Sequence, residues 1–411
     1  MGINNLFKFL RDKYPKLLHE KYLFQVCFGS KIVVDISSYI YKYKAIYREK
    51  WLNAFIKFLL FFKKYNLHVS FVFDGKPPAL KALEQKRRFI QKEKLEDKAQ
   101  NLYLDLEEYK NTGKTTELLF DVMKKIIKNK EKKGSKKDKE KIRRLLHKSD
   151  ETNEDTKEVK LNVEMLEGRL TEIEGQIINI TSDDIESLKQ ILTYLGISYL
   201  QSNTEAETLA TYLCNQNKAK IVISEDSDVL TYLNETGISV SKFDPRTGTC
   251  IVIYMKELLK ALKMTKDQFI DFCILSGTDY NENIRLVGSV KSFGHITKYK
   301  SIENFIKKVN SDVKKPLQFE RIKDYKEIRD IFKHTQIPMG RFYTSDQVDN
   351  KFHNNKEEMF HLIESIPIWD EKIDLDKCFE YLKSLNIFLE KEIKDAWEIS
   401  EQIEIKIEFV D

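Results

Sequence analysis

Cysteine is scarce and unpatterned in this chain of 411 residues: the five, at positions 27, 214, 250, 273 and 378, form no C-x-x-C pair and no metal-finger spacing. A zinc module is therefore excluded, and reduced core or surface thiols are expected. Long hydrophobic runs are missing too. Residues 54–62 form the longest near the start, but Lys57 interrupts them and they are too short to span a bilayer. No secretory signal precedes them. The chain begins Met1-Gly2, yet position 6 is leucine where N-myristoylation needs Ser or Thr. The expectation is a soluble intracellular monomer without a membrane partner, nuclear, cytoplasmic or at a viral replication site. A strong excess of one charge is absent as well: 70 Lys plus Arg against 65 Asp plus Glu leave +5. Distribution says more, because residues 121–150 hold 13 basic and 5 acidic residues and residues 151–174 hold 3 basic and 8 acidic. The seven histidines and the serines form no nucleophilic arrangement. Gly113-Lys114-Thr115 resembles the end of a phosphate loop, but Glu108 stands where the loop needs glycine and no apolar strand precedes it.

What is present is a set of apolar runs that stop at acids: Ile32-Val33-Val34-Asp35, Phe71-Val72-Phe73-Asp74, and Ile221-Val222-Ile223 leading to Glu225, Asp226 and Asp228. Buried parallel strands read as continuous apolar runs, and ligands bind beyond their carboxyl ends. With Glu205 and Glu207 in NTEAET and Asp279 in SGTDY, up to seven of these carboxylates could meet in one cleft. So many like charges call for hard divalent cations between them. Two ions roughly 3.5–4 Å apart can clamp the attacking and leaving oxygens of a phosphoryl displacement. After Asp74, Gly75-Lys76-Pro77-Pro78 predicts a rigid turn out of the strand. A helix carrying Lys81, Lys86, Arg87 and Arg88 should follow, with Lys81 and Arg88 on one face, able to hold a scissile phosphate.

The pattern divides the chain at about 90, 175 and 310. Residues 1–90 read as strand, helix, strand and helix, with residues 39–64 as a parallel crossover. Residues 91–175 read as a charged helical insertion, in which Val163, Leu166, Leu170, Ile173 and Ile177 form one apolar stripe that should pack on another helix of the insertion. In residues 176–310 the α/β pattern resumes: a helix capped at Thr181 and ended by Gly196, a strand at 197–200, and an Asn203-Thr204 cap before the helix with Glu205 and Glu207. A hairpin turning at Asp244-Pro245-Arg246-Thr247-Gly248 and a helix at 266–275 follow. Residues 311–411 predict a mainly helical extension.

These motifs, VVDISSYIY, FVFDGKPPALK, NTEAETLA, SEDSDVLTY and FCILSGTDY, resemble the flap endonuclease family of structure-specific 5′ nucleases from Met1 to about residue 310, outside the insertion. The resemblance implies an α/β PIN-like fold, a central mostly parallel twisted sheet with helices on both faces, plus a helical arch and a helix-hairpin-helix element that binds duplex. It implies Asp35, Asp74, Glu205, Glu207, Asp226, Asp228 and Asp279 as ligands of two Mg²⁺ ions, with Mn²⁺ able to substitute. It also implies Lys81 and Arg88 on the scissile phosphate, Tyr41 stacked on a junction base, Gly2 beside the active site, and Gly288 and Lys291 on the duplex. The implied activity is cleavage of 5′ flaps in DNA during replication, repair or recombination. A 5′ exonuclease or a junction resolvase is the alternative that the longer insertion favours, and a non-catalytic DNA-structure scaffold is the reading from another class.

Two departures bear on partners. The family's duplex-gripping hairpin carries two glycines and a K⁺, whereas Ile284-Arg285-Leu286-Val287-Gly288-Ser289-Val290-Lys291 keeps only Gly288, which puts the K⁺ in question. Gln402, Ile405 and Phe409 fit the spacing of a sliding-clamp element, but Glu408 replaces its first aromatic residue. Alternation of Ile403, Ile405, Ile407 and Phe409 with polar residues predicts a terminal strand instead.

Overall fold

Alternation within the apolar runs is what builds the two cores. In the computed structural model, which describes residues 2–133, 161–310, 319–334, 338, 340–343 and 374–408, one sheet runs through the described residues. Its strands are β1 (His19–Tyr22), β2 (Ile32–Asp35), β3 (Val69–Phe73), β4 (Tyr199–Ser202), β5 (Ile221–Ile223), β6 (Ile238–Asp244), β7 (Thr249–Tyr254) and β8 (Gly340–Tyr343). The order is β1-β7-β6-β5-β2-β3-β4-β8, parallel from β6 through β4 and antiparallel at both margins. Val33, Val72, Leu200 and Val222 point into one core, while Ile32, Val34, Phe71 and Ile223 point into the other. Helices Leu6–Lys13, Ala206–Asn215 and Lys266–Ser276 close the first face. Ile36–Tyr47, Trp51–Lys64 and Ser182–Tyr194 close the second. Sequence neighbours therefore insulate opposite sides of one sheet, and the strand ends between them are left for chemistry.

Two compact units divide the chain, one of residues 1–84 with 180–411 and one of residues 85–179. The second is held by three helices, Ala82–Thr112, Glu117–Lys133 and Val163–Glu174, around Leu102, Leu106, Leu119, Val122, Leu166 and Ile173. The stripe beginning at Val163 thus faces helical partners within the insertion; its helix stops at Glu174, short of Ile177. Gly113, at φ +74°, donates to Tyr109 O and ends the long helix, so Gly113-Lys114-Thr115 serves as a helix terminus.

Several expectations are corrected. The C-terminal residues form a helix, Glu390–Glu408, where alternation predicted a strand; Ile403 and Ile407 also satisfy a four-residue helical spacing, and Phe409 lies outside the described residues. A strand, β8, exists beyond residue 310, and β1 precedes the first predicted strand. Both are four-residue margins of the sheet whose partners lie far along the chain. Glu205 itself takes the cap position expected of Asn203-Thr204, and β4 lies two residues later than predicted. Lys81 closes a 3₁₀ turn, Ala79–Lys81, one residue before the helix that carries Arg88. All five cysteines are buried and unpaired. Among the described residues no helix is long and apolar enough to cross a membrane.

Candidate active site

The site begins with the acids that end the parallel strands. Asp35 caps the Ile36–Tyr47 helix, its Oδ1 accepting from Ser38 N at 3.2 Å and its Oδ2 from Ser224 Oγ at 2.6 Å. Asp74 Oδ1 accepts from Ala206 N at 2.8 Å, which ties the end of β3 to the helix after β4. Gly75 is required for that junction, since a Cβ there would collide with Ser202 O. Asp226 accepts Asp228 N at 2.9 Å on Oδ1, and its own N–H donates to Ser224 Oγ at 3.0 Å. One serine hydroxyl thus couples β2 to β5.

Glu205, Glu207 and Asp279 meet around Lys81. Its Nζ lies 2.5 Å from Glu205 Oε1, 3.5 Å from Glu207 Oε1 and 3.7 Å from Asp279 Oδ2, and the residue is only 7% exposed. Burial alone would lower its pKa, but Glu207 and Glu205 outweigh that and hold the ammonium well above its usual value. Tyr280 supports the same group: its hydroxyl donates to Glu205 Oε2 at 2.8 Å, shares a 2.5 Å hydrogen bond with Tyr232, and its ring lies 5.0 Å from Lys81 Nζ.

The charges are badly undercompensated. Burial, then the charge of Asp74, pushes Asp35 up to about 7. Burial followed by Glu205 raises Glu207 well above the carboxylate range, and burial followed by Asp226 does the same to Asp228. Asp226 and Glu205 are raised by burial too, with Lys81 opposing. Asp228 is 0% exposed and neither of its oxygens has a hydrogen-bond partner. A buried charge is normally paired or bound to a metal. Asp226, Asp228 and Asp279 each offer an oxygen within 4.8 Å of the others. An all-oxygen donor set with two orphaned atoms suits a hard divalent cation such as Mg²⁺ or Mn²⁺, and excludes the soft-ligand metals.

The other residues singled out by sequence are placed as follows. Gly2 sits against the cluster: at φ +80°, a Cβ there would collide with Asp226 Oδ1 and lie 2.7 Å from Ser227 Oγ and 2.8 Å from Asp228 N. Tyr41 is 43% exposed on the Ile36–Tyr47 helix. Gly288 is the cap of the Ser289–Tyr299 helix and Lys291 is exposed in its first turn. Arg88 is exposed on the Ala82–Thr112 helix, in the second unit. Glu225, adjacent to the cluster in sequence, pairs instead with Lys42 at 2.6 Å. Sequence reading missed Ser224, Tyr232 and Tyr280 as supports. Only their adjacency to acidic motif residues hinted at them.

Residues 1–95 match the XPG N-terminal domain and residues 196–279 the XPG I-region. A probable RAD2-like endonuclease of Invertebrate iridescent virus 3 is 33% identical over 322 residues, 74% of this chain and 80% of the viral protein. Flap endonuclease 1 of Cryptosporidium parvum is 24% identical over 364 residues, 82% of this chain and 61% of that protein. Among solved structures, the catalytic core of Rad2 in complex with DNA substrate superposes with a TM-score of 0.53 at 16% identity, covering 97% of this chain and 100% of that one. Flap endonuclease-1 from Methanococcus jannaschii gives 0.52 at 16% identity, covering 95% and 99%. At such identities the superpositions establish the fold.

Proposed function

The chain belongs to the XPG and flap endonuclease family of nucleases, and we propose that it is a Mg²⁺-dependent enzyme that cleaves DNA 5′ flaps near single-strand/double-strand junctions. The observation that carries this reading is Asp228, whose two buried, partnerless oxygens sit among further buried carboxylates. Asp226, Asp228 and Asp279 would hold one cation, and Asp35, Asp74, Glu205 and Glu207 supply the remaining oxygen donors. Bound divalent ions supply charge neutralisation and a water of lowered pKa. The chain's own residues do the rest. Lys81, fixed by Glu205 and Tyr280, holds a permanent positive charge where a scissile phosphate would approach the acids. Asp35 and Asp74 keep their orientation through Ser224, Ser38 and Ala206, so the donor set is organised before substrate arrives. Tyr41, Arg88, Gly288 and Lys291 are assigned to the DNA, through base stacking and phosphate contacts whose strength falls with salt.

The test is cleavage of a 5′-labelled double-flap DNA with Mg²⁺, with EDTA and with Asp228→Ala, beside a 3′ flap and a blunt duplex. A single product near the 5′ junction, lost in EDTA and in the variant, supports the proposal. Stepwise mononucleotide release from blunt duplex would replace it with an exonuclease, and tight binding without product under any divalent ion would replace it with a scaffold.

A further inference from the structure

The hairpin after Asp279 is where the family resemblance implies K⁺, and as hydrogen-bonded here its residues do not fit one. A monovalent cation needs oxygen lone pairs converging on a point. Here the side chain of Asn283 stands between the two carbonyls of the turn, its Nδ2 donating to Val287 O at 2.9 Å and to Ile284 O at 3.3 Å. Ile284 O also accepts from Val287 N at 2.9 Å, so both of its lone pairs are used. With no cation between them each neighbour is an acceptor, so the amide nitrogen faces them; the reverse orientation would bring three oxygens to one point, the arrangement a cation would need, so the two orientations predict opposite responses to K⁺.

The amide is held in place by its surroundings. Gly277, at φ +93°, leaves bare backbone against which Asn283 packs: a Cβ on residue 277 would lie 3.0 Å from Asn283 N and 3.2 Å from its Cβ. Asn4 N donates to Gly277 O at 2.9 Å, and Ser289 Oγ donates to Asn4 O at 2.7 Å, which braces the start of the Ser289–Tyr299 helix against the N-terminal segment. Leu286 stands in the left-handed region, φ +66°, where a turn favours glycine, and is 80% exposed. The missing glycine and the Asn283 amide are thus parts of one arrangement: hydrogen bonds to the carbonyls on either side of Leu286 hold shut a turn that its own side chain disfavours.

We propose that the Asn283 carboxamide replaces K⁺ in this hairpin, so that its duplex-binding conformation forms without a monovalent cation. The DNA part rests on the function proposed above. Flap binding is measured by fluorescence anisotropy in EDTA at one ionic strength, set with KCl, NaCl or tetramethylammonium chloride. Dissociation constants agreeing within about twofold are expected, because only the screening term is then shared by all three salts. Binding about tenfold weaker in tetramethylammonium than in KCl would overturn the proposal, since screening alone does not distinguish the cations. Asn283→Asp, of the same shape with oxygen in place of N–H, is expected to bind poorly in tetramethylammonium and recover in KCl; cation-indifferent binding by that variant counts against the proposal. Melting of the protein alone in the same salts decides the cation question without DNA. A rise specific to K⁺ refutes the replacement, and equal melting in the three salts supports it. Failure to bind any flap would refute the proposed function alone.

Discussion

Lys81 Nζ and Glu205 Oε1 are 2.5 Å apart, and the same ammonium lies 3.5 Å from Glu207 Oε1 and 3.7 Å from Asp279 Oδ2. Replacing Lys81 with Met keeps the stem and removes the charge. Metal-free Lys81→Met is expected to lose about 3 kcal/mol at pH 8, the cost of leaving a buried partner charge uncompensated, and to lose flap cleavage. Urea unfolding in EDTA measures the first; an unchanged midpoint would refute the account of the cluster.

Asp228→Asn should separate stability from activity. Its carboxylate is buried without a hydrogen-bond partner and repelled by Asp226, so neutralising it is expected to stabilise the metal-free protein by about 1 kcal/mol, or roughly 1 °C in melting temperature for a chain of this length. Mn²⁺ binding by calorimetry should weaken by about a hundredfold, and cleavage should fall at least as far. A destabilised variant that still binds Mn²⁺ normally would contradict this.

The metal-free protein should prefer acid. Asp35 has a folded pKa of about 7 against 3.8 as the ordinary value, and Glu205, Glu207, Asp226 and Asp228 are raised too. A raised acid binds its proton more tightly when folded, so its contribution is complete below the unfolded pKa and is lost as pH rises through the folded one. In EDTA, melting temperature is expected to fall between pH 5 and pH 8, approximately the window these shifts define, and Mg²⁺ should flatten the slope by neutralising the carboxylates. A stability that rises over this range in EDTA would reject the picture.

Gly2→Ala puts a Cβ against Asp226 Oδ1 in a backbone conformation that disfavours side chains. Asp226 must then move, and cleavage is expected to drop by about tenfold or more, with a stability loss of about 1 kcal/mol. Comparing kcat with melting temperature checks both, and full activity would remove Gly2 from the site.

Local periodicity explains how far the sequence alone could be read. Apolar runs ending at Asp35 and Asp74 read as buried strands, and Thr181 with Asp184 as the start of a helix, because these signals are carried by residues close in the chain. The stripe from Val163 announced a helical partner for the same reason. Such signals fade at the margins of the sheet. His19–Tyr22 and Gly340–Tyr343 are strands because β7 and β4 offer them backbone partners, and neither segment carries an alternation that says so. At the C-terminus the same isoleucines suit a period of two and a period of about four, so alternation alone does not decide between strand and helix, and the backbone there is helical.

The sequence by itself determined which residue types were available: acids after apolar runs, a lysine after Pro-Pro, one glycine where two were expected. Only the tertiary structure decided that Lys81 joins Glu205, Glu207 and Asp279, that Glu225 turns away to Lys42, and that Asn283 fills its own hairpin. The reason is physical: charge repulsion, burial and hydrogen-bond saturation act through space, and most of these partners lie on separate segments that meet only when the sheet and its flanking helices are complete.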